Sequence, residues 1–193
     1  MKSLADHNNV LARLKLLEEK HILPLTRYVE NLRQHGFGQV PYFDPLDGGI
    51  NSRVLFLMEK PGPKAAISNF ISRDNNDNTA SNIFKFTEAA GILRENVCLW
   101  NIIPGWNGTI RITSTELKQG VECINDLITM LTQLKAIILI GKKAQTIKPL
   151  IEKNWPDLTI INSYHPSPIN YAVAPEKWLQ IPHEWKKIAH LQK

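Results

Sequence analysis

With 193 residues, 43% of them hydrophobic, the chain can bury one substantial core, and it is expected to form one globular unit over 1–193, with a helical part at 1–50 and a motif-bearing core at 51–172. A formal charge of +5 suits a polyanionic partner but is equally ordinary on proteins that touch no nucleic acid. Cys98 and Cys123, the two cysteines, lie in apolar segments without C-x-x-C spacing, which excludes cysteine-ligated zinc or iron–sulfur sites; with no stretch near the ~20 apolar residues of a membrane helix and no apolar signal core, a cytoplasmic, nucleoid-associated location is expected.

Two helical stretches, 10–20 and 24–34, come first. Four short apolar runs follow, at 53–58, 97–103, 135–140 and 158–162, and their lack of polar alternation predicts strands covered on both faces. After Asn78, Ile83, Phe86 and Ala90 share a helical face that ends at Gly91 as C-cap. Thr113 and Glu116 have capping-box spacing ahead of a helix carrying Leu117, Val121, Ile124, Leu127 and Ile128. Gly141 turns the third strand into a helix with Ala144, Ile147 and Ile151, and a last helix starts near Pro182. This alternation predicts a parallel sheet between helices with right-handed crossovers. Ligands then gather outside the carboxyl ends of the strands, in the loops after Met58, Ile103, Ile140 and Asn162.

The first of these loops, Met58-Glu59-Lys60-Pro61-Gly62-Pro63, is a rigid turn in which Gly62 lets backbone approach something flat or anionic; a surface turn accounts for it equally well. In the second, Asn101 stands at a strand end, where an amide presents the donor and acceptor needed to read a base edge, or else ties down a loop. The fourth, Tyr164-His165-Pro166-Ser167-Pro168-Ile169, holds a histidine in a frame of prolines. The other histidines have no such frame and are surface or structural residues. Lys142 and Lys143 open a helix, where positive charge is unfavourable unless an anion such as a phosphate is near; two solvated lysines are as plausible.

Together these segments resemble the uracil-DNA glycosylase superfamily. Met58-Glu59-Lys60-Pro61-Gly62 matches its G-E-x-P-G form of motif one, and His165-Pro166-Ser167-Pro168 its H-P-S-P motif. Asn101 falls at its strand-end asparagine, and Asp77-Asn78-Thr79-Ala80-Ser81-Asn82 at the start of the helix after motif one.

The resemblance implies a three-layer α/β/α sandwich around a four-stranded parallel sheet, acting without a cofactor on single- or double-stranded DNA, as a monomer. It implies that a nucleotide flips into a pocket at the strand ends, Phe70 and Gly62 flank the base, Asn101 reads its edge, and His165 donates to its carbonyl oxygen. Pro61, Pro166, Ser167 and Pro168 would press on the DNA backbone, Ile169 would wedge into the duplex, and Lys60, Lys142 and Lys143 would meet phosphates, with Lys64 and Arg73 near them.

Three departures stand out. Where the best-known members carry a water-positioning aspartate, this chain has Lys60, which leaves Glu59 as the nearest carboxylate and Asp74 and Asp77 as the next; Lys60 would then contact phosphate or hold Glu59 ionised. Where they carry an aromatic that blocks the 5-methyl group of thymine, it has Gly62. Many G-E-x-P-G relatives also bind an iron–sulfur cluster through four cysteines, which this chain lacks. The function expected is excision of uracil or a related deaminated base, with a non-catalytic damage sensor as the alternative. A hydrolase or nucleotide-binding protein of another class lacks support, since G-x-S-x-G and Walker-type loops are absent.

Overall fold

A computed structural model describes residues 2–192. Strands β2 (Val54–Met58), β4 (Val97–Asn101), β5 (Ala136–Ile140) and β6 (Thr159–Ser163) form the four-stranded sheet in the order β4-β2-β5-β6, every pairing parallel. Each strand lies within the predicted apolar run or one residue beyond it. Burial on both faces holds for β2, β4 and β5, whereas Thr159 and Asn162 of β6 are exposed because that strand forms an edge. Two strands of only two residues, β1 (Tyr42–Phe43) and β3 (Phe70–Ile71), pair in parallel outside the main sheet and were not legible as apolar runs.

Helices cover both faces. On one, α4 (Asn78–Ala90) packs with α10 (Ile181–Lys186), whose Trp185 meets Phe56 edge-to-face at 4.8 Å. On the other, α2 (Leu23–Gln34) is tied to α5 (Ser114–Met130) by the Tyr28 hydroxyl donating to the Cys123 carbonyl at 2.7 Å, and Phe43 stacks on Trp100 at 3.8 Å. Asp77 caps α4 through the Ala80 N–H, Gly91 ends it at φ 69°, and Thr113 and Glu116 close the capping box that starts α5. These local signals act over one helical turn, which is why the sequence discloses them.

Elsewhere the helices are shorter than their periodicity suggests. The first, α1, spans His7–Leu14, and the expected helix after Gly141 is split into α6 (Lys142–Gln145) and α7 (Lys148–Asn154). Pro149 lies in the first turn of α7, where its missing N–H is tolerated, and it cannot continue the helix before it. Three further short helices, α3 (Pro63–Ser68), α8 (Pro168–Val173) and α9 (Pro175–Leu179), also open with proline in the first turn.

The polar run at 72–78 contributes Ser72 and Asp74 to a buried ionic network. Arg13 of α1 pairs with Asp44 and with Asp74 at 2.6 Å, while Arg94 reaches Asp44, Asp47 and Asp74 at 2.7, 2.8 and 2.9 Å. Ser72 Oγ also donates to Asp44. Burial, reinforced by the Asp44 charge, raises the Asp47 carboxyl, whose Oδ2 has no hydrogen-bond partner among the described residues. Cutting any of these pairs would strand a charge away from water, so the network fixes α1 to the body of the protein.

Asp74 sets an expected pH response. Burial alone would raise its carboxyl, but hydrogen bonds from Arg13 and Arg94 outweigh burial and hold it down at about 2, below the 3.8 of a free aspartate. The stability it contributes, on the order of 2 kcal/mol from ~1.4 kcal/mol per pKa unit, is complete above pH ~4 and lost as pH falls toward 2. Thermal melts followed by circular dichroism should show a drop in midpoint across that window. Asp74→Asn, already less stable at neutral pH, should show a shallower drop; an unchanged slope would separate Asp74 from acid unfolding.

Candidate active site

The four parallel strands deliver their following loops to one rim of the sheet. Ile102 and Ile103 donate to the carbonyls of Met58 and Glu59 at 2.9 and 3.0 Å, which fastens the loop after β4 to the loop after β2. Gly141 donates to the Ser163 carbonyl at 3.1 Å, joining the ends of β5 and β6. Because the chain leaves β2 toward β4 and then crosses to β5 on its other side, the β2–β5 boundary is the switch point where ligands of open sheets bind.

Glu59 lies at that boundary. Its Oε1 accepts the Lys143 N–H at 2.9 Å and lies close to Gly141, where an added Cβ would stand 2.6 Å from Oε1. Gly141 adopts φ 90°, so both backbone conformation and space require glycine. The anion expected near Lys142 and Lys143 is therefore in part the protein's own carboxylate. Both lysine side chains are exposed.

His165 is half-buried, and its ring makes no hydrogen bond to any described residue. Burial lowers its pKa, with the carboxylates of Glu59 and Asp77 opposing that shift. Both carboxylates therefore act on the His165 ring, and burial favours its neutral form. Asn101, at the end of β4, is 2% exposed, and its amide has no hydrogen-bond partner among the described residues. Its amide atoms are not among the side-chain atoms cut off from solvent, so a ligand at the rim can reach them. At Gly62 an added Cβ would meet nothing within 4 Å, so this side of the rim is open.

The H-P-S-P loop is braced from beneath. Asn82 donates to the Pro166 carbonyl at 2.8 Å, Asn170 Nδ2 to the His165 carbonyl at 3.1 Å, and Ser167 caps α8 by accepting the Asn170 N–H. Pro61 and Pro166 are buried, whereas Pro168 is exposed and Ile169, 75% exposed, projects a branched apolar side chain into solvent.

Four sequence-based expectations are corrected. Lys60 does not reach outward to a phosphate or pair with Glu59: its side chain is 3% exposed, and Nζ is held by Glu116 at 2.6 Å and the Arg111 carbonyl at 3.0 Å. Burial would raise the Glu116 carboxyl, yet Lys60 and Thr113 lower it on balance. Phe70 has no face free for a base, because β3 is roofed by the N-terminal segment and the ring is enclosed with Leu4, Leu17 and Tyr42. Arg73 is buried against Thr87 and Glu88, so it cannot meet DNA, and Asp74 belongs to the ionic network. The partner of Lys60 lay 56 residues away in sequence, and no local signal pointed to it.

Fold and rim together define an α/β domain whose loops gather on the carboxyl ends of a parallel sheet. Residues 45–186 match the model of the uracil DNA glycosylase superfamily, and the chain belongs to that superfamily. No curated protein matches it. Membership supports a glycosylase-type hydrolase in DNA repair, with DNA as the partner.

Proposed function

We propose that the protein is a monofunctional DNA glycosylase that hydrolyses the N-glycosidic bond of uracil or a related deaminated base, as a monomer and without a cofactor. The observation that carries this reading is the unpartnered, nearly buried amide of Asn101 at the rim shared with His165 and Glu59. A flipped base would satisfy that amide through its pairing edge.

As the glycosidic C–N bond breaks, its electron pair moves into the base. The neutral His165 ring donates its N–H to the base carbonyl oxygen, where charge collects. Water attacks the sugar carbon, and Glu59 Oε2, free of hydrogen bonds while Oε1 is held by Lys143, takes the proton that water loses. The open space at Gly62 leaves room for a 5-substituted base, so discrimination against thymine does not arise there. Ile169 supplies the wedge that fills the vacated stack.

The second reading, a damage sensor without turnover, is favoured by Lys60: the place of the usual aspartate is taken by a cation already bound to Glu116. Oligonucleotides each bearing one uracil, hypoxanthine, xanthine or mismatched thymine separate the two. Alkali-labile abasic sites in any of them support the enzyme; binding with no such sites in the whole panel supports the sensor.

With Lys60 and Arg73 internal, phosphate contacts at the rim fall to the exposed Lys64, Lys142 and Lys143. Three neutralised phosphates give a slope of about −3 for log affinity against log salt, and Lys143→Ala should reduce its magnitude by about 1. Titrating labelled undamaged duplex at several salt concentrations measures both slopes, and a parent affinity independent of salt would remove these lysines from the interface.

A further inference from the structure

Beyond the rim lies a groove of about 340 Å³ between the first turns of α4 and the helices that follow the H-P-S-P loop. Its volume falls at the lower end of the ~300–1,000 Å³ typical of small-ligand sites. Tyr171 and Trp178 form one wall and Asn78 the other, with Lys2 and Lys85 at the margins and no acidic side chain in the lining. Tyr171 meets Trp178 edge-to-face at 4.9 Å and is 48% exposed, so a ring face remains open.

The groove is continuous with the loop that carries His165. Pro168 lines it, and Asn82, which also lines it, holds the Pro166 carbonyl at 2.8 Å. Exposed Ile169 lies between the lining residues Pro168 and Tyr171 in sequence, so the groove adjoins the loop that carries His165.

We propose that the groove is a second nucleotide subsite, which takes an unpaired nucleotide flanking the excised base; the assignment rests on the glycosylase reading. The chemistry matches in two respects. Two lysines without a neighbouring carboxylate in the lining suit a phosphate, and the open tyrosine face suits a base of any identity. Because stacking tolerates every base, the subsite adds affinity without adding sequence preference, and it favours single-stranded or locally opened DNA over closed duplex.

The test is binding of fluorescein-labelled single-stranded (dT)12 by the full chain, by Tyr171→Ala/Lys85→Ala, and by Lys118→Ala, which removes an exposed lysine of α5. Tyr171 and Lys85 are exposed, so the double variant should retain the parent's melting temperature. It is expected to weaken binding at least ~10-fold, in line with the loss of one stacked base and one phosphate contact, while Lys118→Ala changes it less than ~2-fold. Equal affinity of the double variant and the parent would overturn the subsite, and if the parent still excised uracil the glycosylase reading would stand. A parent that neither binds (dT)12 nor excises any base would overturn both. Binding of poly-glutamate that is lost in the double variant while (dT)12 binding is retained would assign the groove to an acidic protein segment instead.

Discussion

Replacing His165 by alanine is expected to lower base excision by at least ~10²-fold, with little change in stability. Removing one donor to a developing oxyanion commonly costs 10²–10³ in rate, since its interaction is realised only as charge builds on the leaving group. The imidazole makes no hydrogen bond to a described residue, so its loss breaks no network, and the main-chain carbonyl that holds Asn170 is retained. Single-turnover excision of a uracil-containing strand, with a parallel thermal melt, checks both halves. Equal rates for variant and parent would take His165 out of the chemistry.

Glu59→Gln is expected to reduce excision at least ~10²-fold, the lower bound for a positioned acid–base group, while damaged-DNA affinity stays nearly constant. The substitution is informative because the carboxylate also holds the Lys143 N–H, and the glutamine carbonyl can accept the same hydrogen bond. Capping of α6 is thereby preserved while proton acceptance is lost. Full turnover in Glu59→Gln would reduce Glu59 to a structural cap and move attention to Asp77, the other carboxylate in the field of His165.

The sheet was legible because β2, β4 and β5 are buried on both faces, and burial of that kind leaves uninterrupted apolar runs. The two-residue strands β1 and β3 are too short to leave a period, and their pairing depends on segments 28 residues apart. At the rim, Asn101, Glu59 and His165 could be placed because Asn101 ends β4, Glu59 follows β2 directly and His165 comes two residues after β6. What could not be located were the partners of charged side chains. Lys60 and Arg73 look like surface cations in sequence, and only long-range packing shows that they are consumed by Glu116 and by Thr87 with Glu88. Phe70 failed for a related reason: an aromatic near a motif serves either the pocket or the core, and the N-terminal segment that encloses it lies more than 50 residues upstream.

The ion pair between Lys60 and Glu116 makes the history of positions 60 and 116 a joint one. An aspartate introduced alone at 60 would face the Glu116 carboxylate, which Asn107 and Thr113 already hold in place, and two acids would share one site. The route between this chain and relatives with a motif-one aspartate therefore crosses a charge conflict unless residue 116 changes as well. Since Glu116 also closes the cap of α5, such a change weakens a helix start on the far side of the sheet from α4. Exchange at position 60 is thus coupled to the start of α5, and an aspartate there meets no charge conflict only when residue 116 changes with it.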